Sequence, residues 1–223
     1  MDMTRAEMTS APQDLEPRWP AFVAVLAVGG LYAGLPNVLT MGPRWLFPLV
    51  VLVLLIPTVV SHHTGRHRLS TLLGFAVDAV LTAGLIISVA LLIAALPAHK
   101  ETPLDLLFSA ASLWLTNILV FALWYWRLDA GGPHKRDERP GHTEGAFLFP
   151  QMTMSKDALR QTGQRLWSPN FIDYLFLAFN TSTAFSPTDV PVLARWAKVL
   201  MMLQSLLSLL IIALLAARAV NIL

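Results

Sequence analysis

Phe171-Ile172-Asp173-Tyr174-Leu175-Phe176-Leu177-Ala178-Phe179, followed at once by Asn180-Thr181-Ser182-Thr183-Ala184-Phe185-Ser186-Pro187-Thr188-Asp189, is the stretch on which the reading of this chain turns. The apolar run is too short to cross a bilayer, which takes about 20 apolar residues in a helix, whereas runs of about 10–14 suit a re-entrant or interfacial segment. The residues after it are mostly small and oxygen-bearing. Beyond them, residues 195–220 read as one long hydrophobic helix. The order half-helix, polar turn, full span predicts a segment that enters the membrane and turns back before the last span crosses it.

The rest of the chain supports a membrane setting. It has 223 residues, 55% of them hydrophobic and 13% charged, against about 25% charged in a soluble domain. The apolar residues fall in long blocks between charged or proline-rich joints, the pattern of repeated spans. Spans are expected at about 20–38, 45–60, 69–96 and 103–126, ahead of 195–220. Pro48 and Pro57 predict kinks or frayed ends in the second. Trp124-Tyr125-Trp126-Arg127 reads as an interfacial aromatic belt with a basic anchor. The expected fold is therefore an all-α integral membrane protein with five transmembrane helices and one re-entrant half-helix. Its parts are a disordered tail (1–18), a four-helix membrane region (19–126), a polar loop (127–169) and the C-terminal unit (170–223). Within the loop, Phe147-Leu148-Phe149-Pro150 is expected to dip onto the membrane surface. No internal repeat is visible, which disfavours an inverted-repeat transporter.

Absent cysteine excludes disulfides, thiolate metal sites and a cysteine nucleophile. The net charge of +2 is no nucleic-acid surface. The acidic residues Asp2, Glu7, Asp14 and Glu16 ahead of Trp19 argue against a cleaved signal peptide. With five spans, thirteen of the sixteen Lys and Arg fall at one end of the bundle and only Arg44, Lys100 and Arg218 at the other. The positive-inside rule then predicts a multi-pass protein of the cell's inner (plasma) membrane with a cytoplasmic N-terminus. The same parity predicts ion-pair partners for the intramembrane charges. Asp78 is expected to meet Arg195 or Lys198, and Asp105 to meet Arg218, because an unpaired charge at such depth costs about 2.5–3.5 kcal/mol.

The polar turn carries a resemblance. Thr181-Ser182-Thr183 and Asp189 resemble the end of the pore helix and the Asp after the filter in the tetrameric potassium-channel superfamily, with Thr183 near the first filter position. Between them stands Ala184-Phe185-Ser186-Pro187-Thr188, so both filter glycines are missing, and potassium selectivity of the usual kind is not implied. Residues 104–223 are more closely similar to a family of bacterial five-span membrane proteins, through Asp173-Tyr174, Thr183-Ala184-Phe185, Thr188-Asp189-Val190 and Arg195, with an extra Ala between Thr and Phe. That family brings no activity with it.

Pore-lining candidates are Thr181, Ser182, Thr183, Ser186, Thr188 and Asp189, with Gln204 and Ser208, which share a helix face, below them. The opposing reading makes the turn a capped connection and makes Gln204, Ser208, Asn117 and Thr116 interhelical hydrogen-bonding groups. His62, His63 and His67 have metal-like spacing, but no carboxylate lies nearby and a basic, lipid-facing loop is favoured. No catalytic residue, metal site or cofactor is expected, and an enzyme is disfavoured. The leading expectation is a channel-like homo-oligomer, a tetramer favoured, passing small ions or solutes. The rival is a non-conducting scaffold, partner subunit or lipid-binding protein. Membrane lipids are the expected surroundings and nucleic acid is not a partner.

Overall fold

The structure, a computed structural model, describes residues 16–95, 103–139, 141–161, 167–183 and 190–220. Among them regular structure is helical, apart from one isolated antiparallel bridge between Phe147 and Val192. The helices are α1 (Trp19–Ala33), α2 (Leu46–His63), α3 (His67–Ala95), α4 (Pro103–Leu128), α5 (Pro133–Asp137), α6 (Pro150–Thr153), α7 (Lys156–Gln161), α8 (Phe171–Thr183) and α9 (Arg195–Val220). Four of these, α2, α3, α4 and α9, are long and apolar enough to cross a membrane. The first expected span is shorter than its apolar sequence: α1 has 15 residues. It stops at Gly34, where Pro36 follows and cannot continue a helix. Pro57 sits inside α2 and leaves the carbonyl four residues before it without a helical donor. The loop from α2 to α3 turns on Gly65, whose φ of +72° is open to glycine and costly for other residues.

Contacts along the helices fix their directions. Trp126 packs on Phe171 and Trp114 on Phe179, so α4 and α8 run antiparallel. Gln204 bonds the Ala178 carbonyl and Ser208 the Ser182 carbonyl, so α8 and α9 run parallel. For two helices consecutive in sequence to run parallel, the chain must come back to the end at which α8 begins. Pro191 and Leu193 are already back at that end, hydrogen-bonded to Leu148 and Ala146.

One end of the bundle therefore collects the start of α1, the α2–α3 turn, the end of α4, α5 and the starts of α8 and α9. That is the grouping expected from five alternating spans. α4 is the most enclosed of the four long helices and α9 the least, with 61% and 17% of their apolar windows buried.

Two local expectations are overturned here. Tyr125 and Trp126 are buried against protein, not turned to an interface. Phe147 and Phe149 are buried as well and pack on Tyr174, so this segment plugs the core instead of lying on the membrane surface. The polar turn begins later than its composition suggests: Asn180 to Thr183 still belong to the last turn of α8, where the pore-helix resemblance put Thr181, Ser182 and Thr183.

The ends of the bundle can be told apart chemically in this cysteine-free chain. Thr143 and Arg44 are exposed at opposite ends. A positively charged cytoplasmic face predicts that Thr143→Cys escapes a membrane-impermeant thiol reagent in intact cells while Arg44→Cys reacts. The reverse pattern would invert the topology.

Candidate functional site

The predicted polar residues converge on one seam between α4, α8 and α9. α8 begins with a reciprocal cap: Asn170 Oδ1 accepts from the Ile172 N–H, and Asp173 Oδ2 accepts from the Asn170 N–H. The helix is then two-faced. Phe171, Tyr174, Ala178, Thr181 and Ser182 are buried, while Ile172, Phe176 and Phe179 are exposed. Thr181 and Thr183 donate their hydroxyls to the carbonyls of Leu177 and Asn180, which lets polar side chains extend the helix without unmet donors.

Gln204 is the hub of the seam and is fully buried. Its Nε2 donates to the Ala178 carbonyl and to Ser182 Oγ, each at 2.7 Å. Its Oε1 accepts from the Tyr125 hydroxyl at 2.5 Å. One carboxamide thus ties α9 to both α8 and α4. One turn on, Ser208 donates to the Ser182 carbonyl at 2.6 Å and accepts from Trp114 Nε1 at 3.1 Å. Asn117 Nδ2 donates to the Gln204 carbonyl, and Ser205 to the Thr181 carbonyl. Thr181, Ser182, Gln204 and Ser208 therefore meet inside a single chain. Thr183 is half-buried at the end of α8. Ser186, Thr188 and Asp189 lie outside the described residues.

A second constellation sits at the crowded end. Asp129 is fully buried. Its carboxylate accepts from the Ala146 N–H at 2.5 Å and from the Tyr174 hydroxyl at 2.7 Å, with His142 Nε2 3.6 Å away. Arg136 donates to the carbonyls of Trp126 and Asp129 and to Glu16, and its guanidinium lies over the Tyr174 ring. Glu16 also accepts from Trp126 Nε1. Burial pushes the Glu16 carboxyl up from its ordinary range against the pull of Arg136, and pushes the His142 imidazole down. These groups clasp the chain before α1, the end of α4, α5 and α8 together.

The intramembrane charges are arranged differently from expectation. Asp78, fully buried on α3, pairs with Arg127 at the end of α4 (Nε to Oδ2, 2.5 Å) and not with Arg195 or Lys198, which are exposed at the head of α9. Gly74 makes this possible: a Cβ there would fall on the Arg127 guanidinium. Asp105 is exposed on the first turn of α4, and the side chain of Arg218 lies outside the described ones.

His62 and His67 turn toward His134 instead of spreading as a lipid-facing loop. His134 Nε2 accepts from Arg18 at 2.9 Å, so its proton sits on Nδ1 and is donated to His67. Burial, with Arg18 beside it, pushes His134 down to about 4, so it is neutral near pH 7. No group of His or carboxylate residues suited to a metal is found among the described residues. Sequence reasoning missed His134, Arg136 and Asp129 because Arg18 and His67, Glu16 and Tyr174, the respective partners that tie them to other helices or to the chain before α1, lie 45 to 120 residues away. Comparison with family models, curated proteins and solved structures finds no match.

The hub carries a direct expectation. Gln204→Leu leaves the Tyr125 hydroxyl, the Ala178 carbonyl and Ser182 without their partner, and interhelical bonds of this kind are worth about 0.6–2 kcal/mol each in membranes. The substitution should destabilise the fold by about 2–4 kcal/mol, measured by unfolding in mixed micelles. Gln204→Glu, which keeps the oxygen facing Tyr125, should retain more stability than Leu at a pH where the acid is neutral.

Proposed function

We propose that this chain is a non-conducting integral membrane protein, a scaffold or partner subunit whose last span is locked to α4 and α8. The observation that carries the reading is the direction of the polar groups on α9. Gln204 and Ser208 are 0% and 1% exposed, and their hydrogen bonds end within the same chain. The face of α9 left for lipid or for another copy is apolar, with Val199, Met202, Leu206 and Leu209 exposed. An ion passing between copies along this face would find no side-chain oxygen among these residues to take the place of its water. The dry outer face also fits lipid contact, and with α2, α3 and α4 it supports an integral membrane protein.

The parallel run of α8 and α9 supports the finer architecture. A half-helix that starts beside the head of the next span, and presents Ile172, Phe176 and Phe179 outward, has the form of a re-entrant segment in lipid. The same arrangement keeps a second reading open, a channel-like oligomer whose narrow part is formed by Thr183 and the residues up to Asp189. The plasma membrane, with the N-terminus cytoplasmic, is the location that the distribution of Lys and Arg supports.

Flux through liposomes separates the two readings. Purified protein, reconstituted and shown to be folded, should pass potassium, sodium, chloride and protons no faster than protein-free liposomes. Flux above that background that disappears in Thr183→Ala would overturn the non-conducting reading and establish the pore.

A further inference from the structure

A cavity of about 180 Å³ opens between α1, α2, α3 and α4 at the end of the bundle rich in Lys and Arg. That is far more than the 10–15 Å³ or so that one water molecule needs. Its polar part is lined by Arg18, His62, Ser70, Thr71, Arg127 and His134, and none of the described residues lining it is a carboxylate. The counter-charges stand behind the guanidiniums, Asp137 bound to Arg18 at 2.6 Å and Asp78 to Arg127 at 2.5 Å. Deeper in, the walls are apolar: Val25, Leu55, Val77 and Leu123. Both arginine side chains are mostly buried, at 9% and 11% exposure. They are held in place by their carboxylates and by the packing of Arg127 against Gly74.

We infer that this cavity binds a phospholipid with an accessible phosphate, the phosphate against Arg18 and Arg127 and an acyl chain along Val25, Leu55 and Leu123. Charge and shape both argue for it. A guanidinium carries five N–H donors. The bonds among described residues use three of those on Arg18, to Asp137, His134 and His62. Donors therefore remain for phosphate oxygens, whose geometry the planar fork matches. His134 is neutral and its proton is already committed to His67, so the two guanidiniums are the cations that face the cavity. The apolar depth has no use for a free inorganic ion and suits a chain. Basic pockets between transmembrane helices at a positively charged face are where anionic headgroups collect. The inference concerns the opposite side of α4 from the Gln204 seam and stands whether or not the protein conducts.

The test is a titration of the purified full-length protein in neutral detergent, reading its unfolding temperature. Three probes are used: dioleoylphosphatidic acid, dioleoylglycerol and inorganic phosphate. Phosphatidic acid should raise the unfolding temperature saturably, with the other two far weaker. Arg18→Gln should weaken phosphatidic acid binding about tenfold or more. Because Arg18 also holds Asp137, Thr71→Trp serves as the second variant. Its hydroxyl bonds only its own helix, to the His67 carbonyl, and the larger ring would fill the cavity, so the starting unfolding temperature should hold while the lipid response is lost. An equal response to dioleoylglycerol would show an apolar crevice that ignores the headgroup and overturn the proposal. An equal response to phosphate alone would show an oxyanion site that ignores the chain and overturn it too. An unchanged phosphatidic acid response in Thr71→Trp would place the binding elsewhere and reject the cavity.

Discussion

The carboxamide of Gln204 is the constraint on which the C-terminal half depends. In lipid the hydrophobic effect gives little reason for one apolar helix to choose another, since the acyl chains are as apolar as leucine. α9 is the least enclosed of the long helices, and α8 has only 13 residues. What selects their register is therefore polar. A side chain with two donors and two acceptor sites, fully buried, is satisfied only where Tyr125, Ala178 and Ser182 stand together. Sliding α9 by one turn would leave all of them unmet, and Trp114 and Ser208 repeat the demand one turn deeper.

The crowded end of the bundle solves a different problem. A chain that brings the beginnings and ends of so many helices to one face must bury loop backbone there, and buried backbone needs partners. Asp129 and Arg136 supply them, accepting from Ala146 and donating to the carbonyls of Trp126 and Asp129. Phe147 and Phe149 then fill the space between Tyr125, Tyr174 and Trp167. The segment expected to be a polar loop is in part a folded cap over the ends of α4 and α8. The cavity beside Arg18 lies at the margin of this cap, where the charges stay fixed and the space between α1 and α3 is left open.

Much of this was legible in the sequence. The long apolar blocks gave α2, α3, α4 and α9 to within a few residues, and the counting of loops placed Arg18, His62, Arg127 and Arg195 at one end. The short helix α8 was visible as an apolar run too short to span a bilayer. Other features were hidden, and for physical reasons. The residues Asn180 to Thr183 look like a turn, because Asn, Ser and Thr side chains compete for backbone hydrogen bonds and favour caps and turns over helix interiors. Trp124-Tyr125-Trp126 looks like an interfacial belt because amphipathic rings serve equally well at a wet interface and around a buried hydrogen bond. Asp78 could be assigned to the correct end but not to the correct partner: parity offers several cations, and only packing through Gly74 brings Arg127 to it. The polar candidates Gln204 and Ser208 were found, while the direction they face depends on how α9 is rotated, which an aliphatic helix with a few polar residues does not declare.

That rotation is the central claim, and the absence of native cysteine makes it open to a clean measurement. Cysteines placed at Ser182 and Ser208, where the Ser208 hydroxyl reaches the Ser182 carbonyl, should be bridged within one chain by a short bifunctional thiol reagent in native membranes. The product would run as a monomer with both thiols consumed, so that a maleimide tag added afterwards no longer shifts it. A bridge that forms only between chains would put this polar face at the contact between copies and contradict the internal seam.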